Sequence, residues 1–296
     1  MSSSTPVEAA LAGLFGRVWP TLPGAIARAA SLGFAWTAVS TPFVRREGGR
    51  VVGHAGVIEL PLVVAGRRVR VGAVHAVCTD PARRGRGLGR ALVEEVVAAC
   101  ASRFETLLLT TAIPDFYTPF GFRPVREHAF VRPLSGGFRR PAAPGRALTE
   151  AADDVRVLRR LLAGRAPVSA RLGAVDADVV FVVALLLTWG DFSRVHHHAD
   201  LDVLTVHETR GRTLVLYDVV GATIPPLDAL AHAIGADADR VMTFFAPDRL
   251  GEGFRAEPWD AARAAARGDA WFAGLMARGP LPVEDAPVML PPLART

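Results

Sequence analysis

Apolar and polar positions alternate with a period of two from about residue 43 to 79. The stretch GRVVGHAGVIELPLVVAGRRVRVGAVHAV reads as three strands with a glycine turn near Ala65-Gly66. Before it, Leu11, Leu14, Phe15 and Val18 recur at helical spacing within Val7–Trp19, and Thr21–Gly33 supports a second helix. After it, Leu88, Leu92 and Val96 recur every fourth residue, with Val93 and Val97 widening the stripe and Glu94 and Glu95 free to face water. That predicts a helix over 87–102. Glu105–Ala112 is short and apolar, as a buried strand would be. Leu134–Arg146 is rich in Gly, Pro and Arg without periodicity and reads as a linker. Beyond it the pattern predicts helices over Thr149–Leu162, Pro226–Ile234 and about Pro258–Arg278, and strands over Val203–Val206, Leu214–Val220 and Arg240–Phe245. A proline-rich tail follows.

The chain has 296 residues, half of them hydrophobic, enough for two cores. All 34 basic residues are Arg, because Lys, Asn and Gln are absent. The net charge is only +5, the arginines are scattered, and no aromatic–basic stripe appears, so nucleic acid is not an expected partner. Val179–Trp189, the longest apolar run, is too short to span a bilayer and reads as core, so no membrane partner is expected. The N-terminus has no leader-like pattern, and Cys78 and Cys100 both fall in buried elements. A reducing cytoplasm follows as the expectation. Nothing in the sequence speaks against a homo-oligomer.

Chemistry concentrates between the third strand and the next helix. The strand ends at Asp80-Pro81, and Arg83-Arg84-Gly85-Arg86-Gly87-Leu88-Gly89 runs straight into the helix. Glycines let the backbone approach a ligand, amide groups point outward, and the helix N-terminus adds partial positive charge. That makes an anion cradle suited to a pyrophosphate. The loop lacks the Lys-Ser/Thr ending of a nucleoside-triphosphate loop and the spacing of a dinucleotide fingerprint.

Arg84, Gly87 and Gly89 form R-x-x-G-x-G, and Phe116-Tyr117-Thr118-Pro119-Phe120-Gly121-Phe122 follows about thirty residues later. Together they resemble the GNAT N-acetyltransferase superfamily over about residues 5–134. The resemblance implies an α/β (α+β) class and the GNAT fold, a mixed, mostly antiparallel twisted sheet flanked by helices. It also implies acetyl-CoA as the acyl donor. The pantetheine arm would bond the backbone of Val77, Cys78 and Thr79. The pyrophosphate would meet the amides of Gly85, Arg86, Gly87, Leu88, Gly89 and Arg90, with the Arg84 and Arg86 side chains as further partners.

By the same resemblance Tyr117 is the general acid, a phenol that is protonated at neutral pH and matched to a departing thiolate. The general base is open. His75 lies nine residues before Arg84, where a superfamily member carries a histidine linked to amine deprotonation. Strand alternation would put it on one face with Val77 and Thr79. Glu59 is the alternative. Cys78 would then face the opposite side, toward core, rather than act as a nucleophile. His196, His198, Asp200 and Asp202 would share a face if extended, but solvated strand-edge histidines are the preferred reading, and no metal is expected.

The strand–helix–strand order of the second half echoes the first, yet its equivalent loop, Gly221-Ala222-Thr223-Ile224-Pro225-Pro226, has prolines where amide donors are needed. The expected division is therefore a catalytic domain over 1–134, a linker over 135–147, and a degenerate GNAT-like domain over 148–296 that holds no CoA. This resembles the tandem, enhanced-intracellular-survival type. Members of that type place a C-terminal carboxylate in the active site behind a third domain. This sequence is too short for that domain, so the role is not assigned to Thr296. The expected activity is direct acetyl transfer to a primary amine of a small molecule. The alternative is a non-catalytic acetyl-CoA sensor. A cationic acceptor such as a polyamine or aminoglycoside would need an acidic pocket, for which Glu59, Asp115 and one of Asp191, Asp200 or Asp202 are candidates.

Overall fold

The computed structural model describes residues 6–134, 145–260, 273–283 and 286–296. Its first part runs α1 (Pro6–Val18), α2 (Leu22–Ser31), β1 (Ser40–Glu47), β2 (Arg50–Val64), β3 (Arg67–Thr79), α3 (Leu88–Cys100), β4 (Leu107–Thr111), α4 (Pro114–Tyr117), β5 (Arg123–Pro124) and β6 (His128–Pro133). Then come β7 (Arg146–Ala147), α5 (Ala152–Ala163), β8 (Leu172–Ala174), α6 (Asp178–Trp189), β9 (Val195–His198), β10 (Val203–Arg210) and β11 (Thr213–Val220). The chain closes with α7 (Leu227–Ile234), β12 (Arg240–Thr243), β13 (Arg255–Pro258) and β14 (Gly274–Arg278).

These elements make two sheets of mixed, mostly antiparallel strands, the α/β architecture expected. One is ordered β1-β2-β3-β4-β14-β5 with β8 added beside β2. The other is ordered β13-β6-β12-β11-β10-β9-β7. The two repeat one plan. β1, β2 and β3 are antiparallel and β3 runs parallel to β4 across α3, while β9, β10 and β11 are antiparallel and β11 runs parallel to β12 across α7.

The expected division at 134 does not follow the sheets. β6, from the first part, pairs with β12 and β13 in the second sheet. β14, from the end of the chain, lies between β4 and β5 in the first. With β8 beside β2, the first sheet thus takes two strands from the later part of the chain, and the second sheet takes one, β6, from the earlier part. Period-two patterning says a strand is a strand and not whose neighbour it is, since backbone N–H and C=O groups at a sheet edge accept any extended segment. The helix expected over Pro258–Arg278 is corrected at both ends, which are β13 and β14; residues 261–272 lie outside the described residues, as do 135–144 of the expected linker.

The proline-rich tail is not a loose end. Val288, Met289, Leu290 and Leu293 are buried, and Arg295 reaches back to Glu127, donating to Oε1 at 2.5 Å. This ion pair is almost fully excluded from solvent. Arg295 also donates to the carbonyls of Ala273 and Leu290. Removing either partner would leave a buried charge uncompensated.

The histidine run also differs from expectation. β9 is flanked by β7 and β10, so it is not an edge, and His198 is buried. His198 Nε2 and His207 Nδ1 each lie 2.8 Å from the Thr205 hydroxyl. Asp200 and Asp202 leave the strand, and Asp202 pairs with both guanidinium nitrogens of Arg160.

Burial, aided by the neighbouring histidines, holds His198 at about 4 and His207 at about 3, against an ordinary value near 6.5. Because the folded values are the lower ones, the unfolded chain binds protons first as pH falls. This stability is complete above about 6.5 and is lost progressively toward pH 3. Thermal midpoints should therefore drop between pH 7 and 4.5, each histidine contributing at most about 1.4 kcal/mol per pH unit. A midpoint that stays level over that range would show that these rings are not held neutral.

Candidate active site

β3 carries the site, and a single extra residue shapes it. Gly56 of β2 faces His75, but His54 faces Cys78, so β3 spends three residues where β2 spends two. Ala76 absorbs the difference with a φ of +45°, a left-handed value that is uncommon for a side-chain-bearing residue. The bulge reverses the alternation. His75 and Cys78 share the face of His54, while Val74, with Ala55 and Val57, packs against the Leu92, Val93 and Val96 stripe of α3. The expectation that His75 shares a face with Val77 and Thr79 is corrected accordingly. Cys78 is packed against Leu11, Leu14 and Phe15 of α1, and burial pushes its thiol up to about 12, so it behaves as core.

His75 is buried and sharply positioned. Its Nε2 lies 2.9 Å from Ser40 Oγ, and the ring meets Trp36 edge-on at 4.9 Å between centroids. A side chain at Gly56 would stand 2.2 Å from Nε2, so only glycine leaves room for the ring there. His75 Nδ1 is buried and takes no hydrogen-bond partner among the described residues. Burial first, and the nearby His54 second, hold the imidazole well below its usual range, so it is neutral near pH 7. His54 donates through Nδ1–H to the Ala76 carbonyl at 2.8 Å and so braces the bulge.

Past the bulge the chain turns at Asp80, whose Oδ1 accepts from the Ala82 amide at 3.0 Å and whose Oδ2 accepts from Arg17 at 2.9 Å. Gly85 and Gly87 follow with φ of +78° and +76°, and a side chain built at either meets nothing within 4 Å. Open space over left-handed glycines, at the N-terminus of a thirteen-residue helix, suits an approaching phosphate.

A cavity of about 720 Å³ runs along this cradle. Of the cofactor-binding residues expected from the sequence, Val77, Cys78, Thr79, Arg84, Gly85, Gly87, Leu88, Gly89 and Arg90 line it. Arg86 does not; it turns toward Glu47, which also accepts from Arg83 at 2.7 Å. Arg83 lines the cavity although the loop motif gives it no role.

Tyr117 ends α4 and is buried, with Phe116 edge-on at 4.9 Å and Phe122 at 6.1 Å. Burial pushes its phenol up to about 12, with Cys78 adding a little. Tyr117, Val77, Trp19 and Ile113 line both the cradle cavity and a second one of about 580 Å³. The second cavity lies between the two parts of the chain. β3 and β4 give His75, Thr110 and Thr111, α6 gives Val183, Ala184 and Leu187, and the tail gives Arg295 and Thr296. The Thr110 hydroxyl donates to the backbone oxygen of Thr296 at 2.8 Å.

No Asp or Glu among the described residues lines either cavity. The acidic pocket considered from the sequence is therefore not assembled. Glu59 is paired with Arg70 at 3.3 Å, Asp202 with Arg160, and Asp191 accepts from the Ser193 amide. Glu59 stands outside both cavities, whereas His75 stands in one. Ser40, Trp36, His54 and the α6 wall escaped the sequence reading. Only the small residue at 56 hinted that something bulky crosses the strand there.

A sequence-family profile described as an acetyltransferase (GNAT) domain matches residues 38–125. No curated protein matches the chain. Among solved structures, a probable N-acyltransferase of Enterococcus faecalis superposes with a TM-score of 0.58 at 14% identity, covering 94% of this chain and 71% of that one. Eis1 of Mycobacterium abscessus gives 0.54 at 20% identity, over 88% and 72% of the two chains. A GCN5-related N-acetyltransferase of Kribbella flavida gives 0.51 at 16% identity, over 92% and 68%. At these identities the likeness is one of fold.

Proposed function

We propose, from the match of residues 38–125 to the acetyltransferase (GNAT) domain profile, that the protein transfers an acetyl group from acetyl-CoA to a primary amine of a small molecule. The observation that carries this reading is the shared wall. Tyr117 and Val77 belong both to the cavity along the phosphate cradle and to a second cavity large enough for an acceptor. Acetyl-CoA, when bound, supplies an activated acyl thioester.

The chain's own residues then do three things. Gly85, Gly87 and the first turn of α3 hold the pyrophosphate through backbone amides, with Arg84 beside them. The neutral His75 ring, in the acceptor cavity, takes the proton the amine must lose, directly or through water. Tyr117 protonates the departing thiolate. In balance, a C–N bond forms as the C–S bond breaks, and an ammonium acceptor gives up two protons, one passed on to solvent and one matched by the proton that arrives at sulfur. Direct attack needs no acyl-enzyme, in keeping with a Cys78 thiol that stays protonated.

The second sheet is, on this reading, a copy of the same plan that has lost the cradle. α7 starts after Pro225 and Pro226, which offer no N–H to an anion. Calorimetry on the full chain should give one acetyl-CoA site, and thiol release should depend on added amine. Acetyl-CoA binding without thiol release across an amine panel would replace the enzyme with a sensor. Two equal sites would restore a cradle to the second half.

A further inference from the structure

Among the described residues the exposed large hydrophobic side chains are Trp19 at 37%, Val39 at 37%, Ile113 at 60% and Leu187 at 40%. Three of the four, Trp19, Ile113 and Leu187, line the second cavity. They come from three distant parts of the chain, so their meeting is a product of the fold. Large apolar side chains gathered at a concave site mark a surface that something apolar covers. Deeper in, Trp36, Val180, Val183 and Ala184 continue the same lining.

The charges point the same way. The cavity wall has no Asp or Glu side chain among the described residues, and its one guanidinium, Arg295, is committed to Glu127. A second ammonium on the acceptor would enter a mostly apolar space with no Asp or Glu side chain among the described residues to meet it, and the Thr296 backbone oxygen in the wall is already bonded by Thr110. A single amine fares differently. It loses a proton before attack, and apolar surroundings lower an ammonium's pKa and so assist that loss. The polar groups on β3 and β4, His75, Thr110 and Thr111, suffice to receive one amino group.

We infer that the acceptor is a hydrophobic monoamine, carrying an aromatic or long alkyl body, and that α6 of the second half selects it. The inference rests on the acetyl-transfer reading above. It gives the second half a role: α6 packs on α2 and presents Val183, Ala184 and Leu187 to the acceptor rather than holding a second nucleotide.

The test uses the full chain with acetyl-CoA and a series of n-alkylamines, phenethylamine and tryptamine, set against spermidine and kanamycin. kcat/KM should rise by about fourfold per added methylene until the cavity is full. The polycations should be poorer than the best monoamine by ~10²-fold or more. Leu187→Glu, at a half-exposed position the fold tolerates, should cut kcat/KM for tryptamine by about tenfold and improve spermidine, with acetyl-CoA affinity unchanged.

A polycation as the best acceptor, or no dependence on apolar length, would overturn the inference while leaving acetyl transfer intact. A chain-length preference that appears in the acyl donor instead, octanoyl-CoA over acetyl-CoA, would hand the cavity to the acyl group and overturn it too. Acetyl-CoA binding with no turnover of any amine would remove the acetyl-transfer reading itself, and the inference with it.

Discussion

Tyr117→Phe is expected to slow amine-dependent thiol release by ~10²–10³-fold while acetyl-CoA affinity stays within a few-fold of wild type. The change deletes one oxygen and keeps a ring that packs on Phe116 and Phe122, so folding should barely notice. The phenol is the group at the junction of the two cavities with a proton to give. With its pKa pushed up to about 12 it remains protonated through the working range, and no loss of the acid form should limit the rate below about pH 11. The same shift makes it a reluctant donor, which places the expected effect within the usual range for general acids rather than above it. Stopped-flow thiol detection with the best amine, beside calorimetry with acetyl-CoA, separates the two parameters. A variant that turns over like wild type would return Tyr117 to the core and leave protonation of the thiolate to water.

Gly87→Glu should weaken acetyl-CoA by ~10²-fold or more without unfolding the protein. Position 87 has a φ of +76°, and a built side chain meets no protein atom within 4 Å, so the penalty in the free protein is confined to the backbone, about 1–2 kcal/mol. In the complex the added carboxylate would occupy the space over the α3 N-terminus and repel a pyrophosphate. Gly87→Ala is the control, since it carries the same backbone penalty with neither charge nor reach. Calorimetry should rank the affinities wild type, Ala, Glu, with thermal midpoints of the two variants close together. If the glutamate variant is folded and binds acetyl-CoA as tightly as wild type, the cradle is not the phosphate site.

Several parts of this arrangement are legible in the sequence alone. α3 falls within two residues of where the Leu88–Leu92–Val96 stripe puts it, and the turn at Ala65-Gly66 is where the glycine puts it. The stretch 49–77, however, makes two long strands, β2 and β3, rather than three, with β1 ahead of it. The cradle was equally plain. A strand, two left-handed glycines and a helix start are consecutive, and their geometry needs no distant partner. Tyr117 was found by its spacing within a short motif, although its burial was not.

Other parts had no local signal. One inserted residue at Ala76 leaves the hydrophobic pattern of β3 intact, yet it moves His75 to the face of His54 and Cys78. Residues 274–278 carry helix-compatible residues, and they became β14 because an open edge between β4 and β5 pairs them. Propensity is a weak prior that tertiary pairing overrides.

The sequence by itself determined most of the elements, the glycine loop ahead of α3 and the motif tyrosine, all of which depend on neighbours a few residues away. Only the tertiary structure decided the strands β6, β8 and β14 that cross between the two sheets, the burial of the tail, and a second cavity walled by α6 with no acidic side chain among the described residues. Those depend on which distant segments meet. A sheet edge bonds whatever extended backbone reaches it, and an apolar stripe packs on whatever apolar face it finds, so neither pattern specifies its partner in advance.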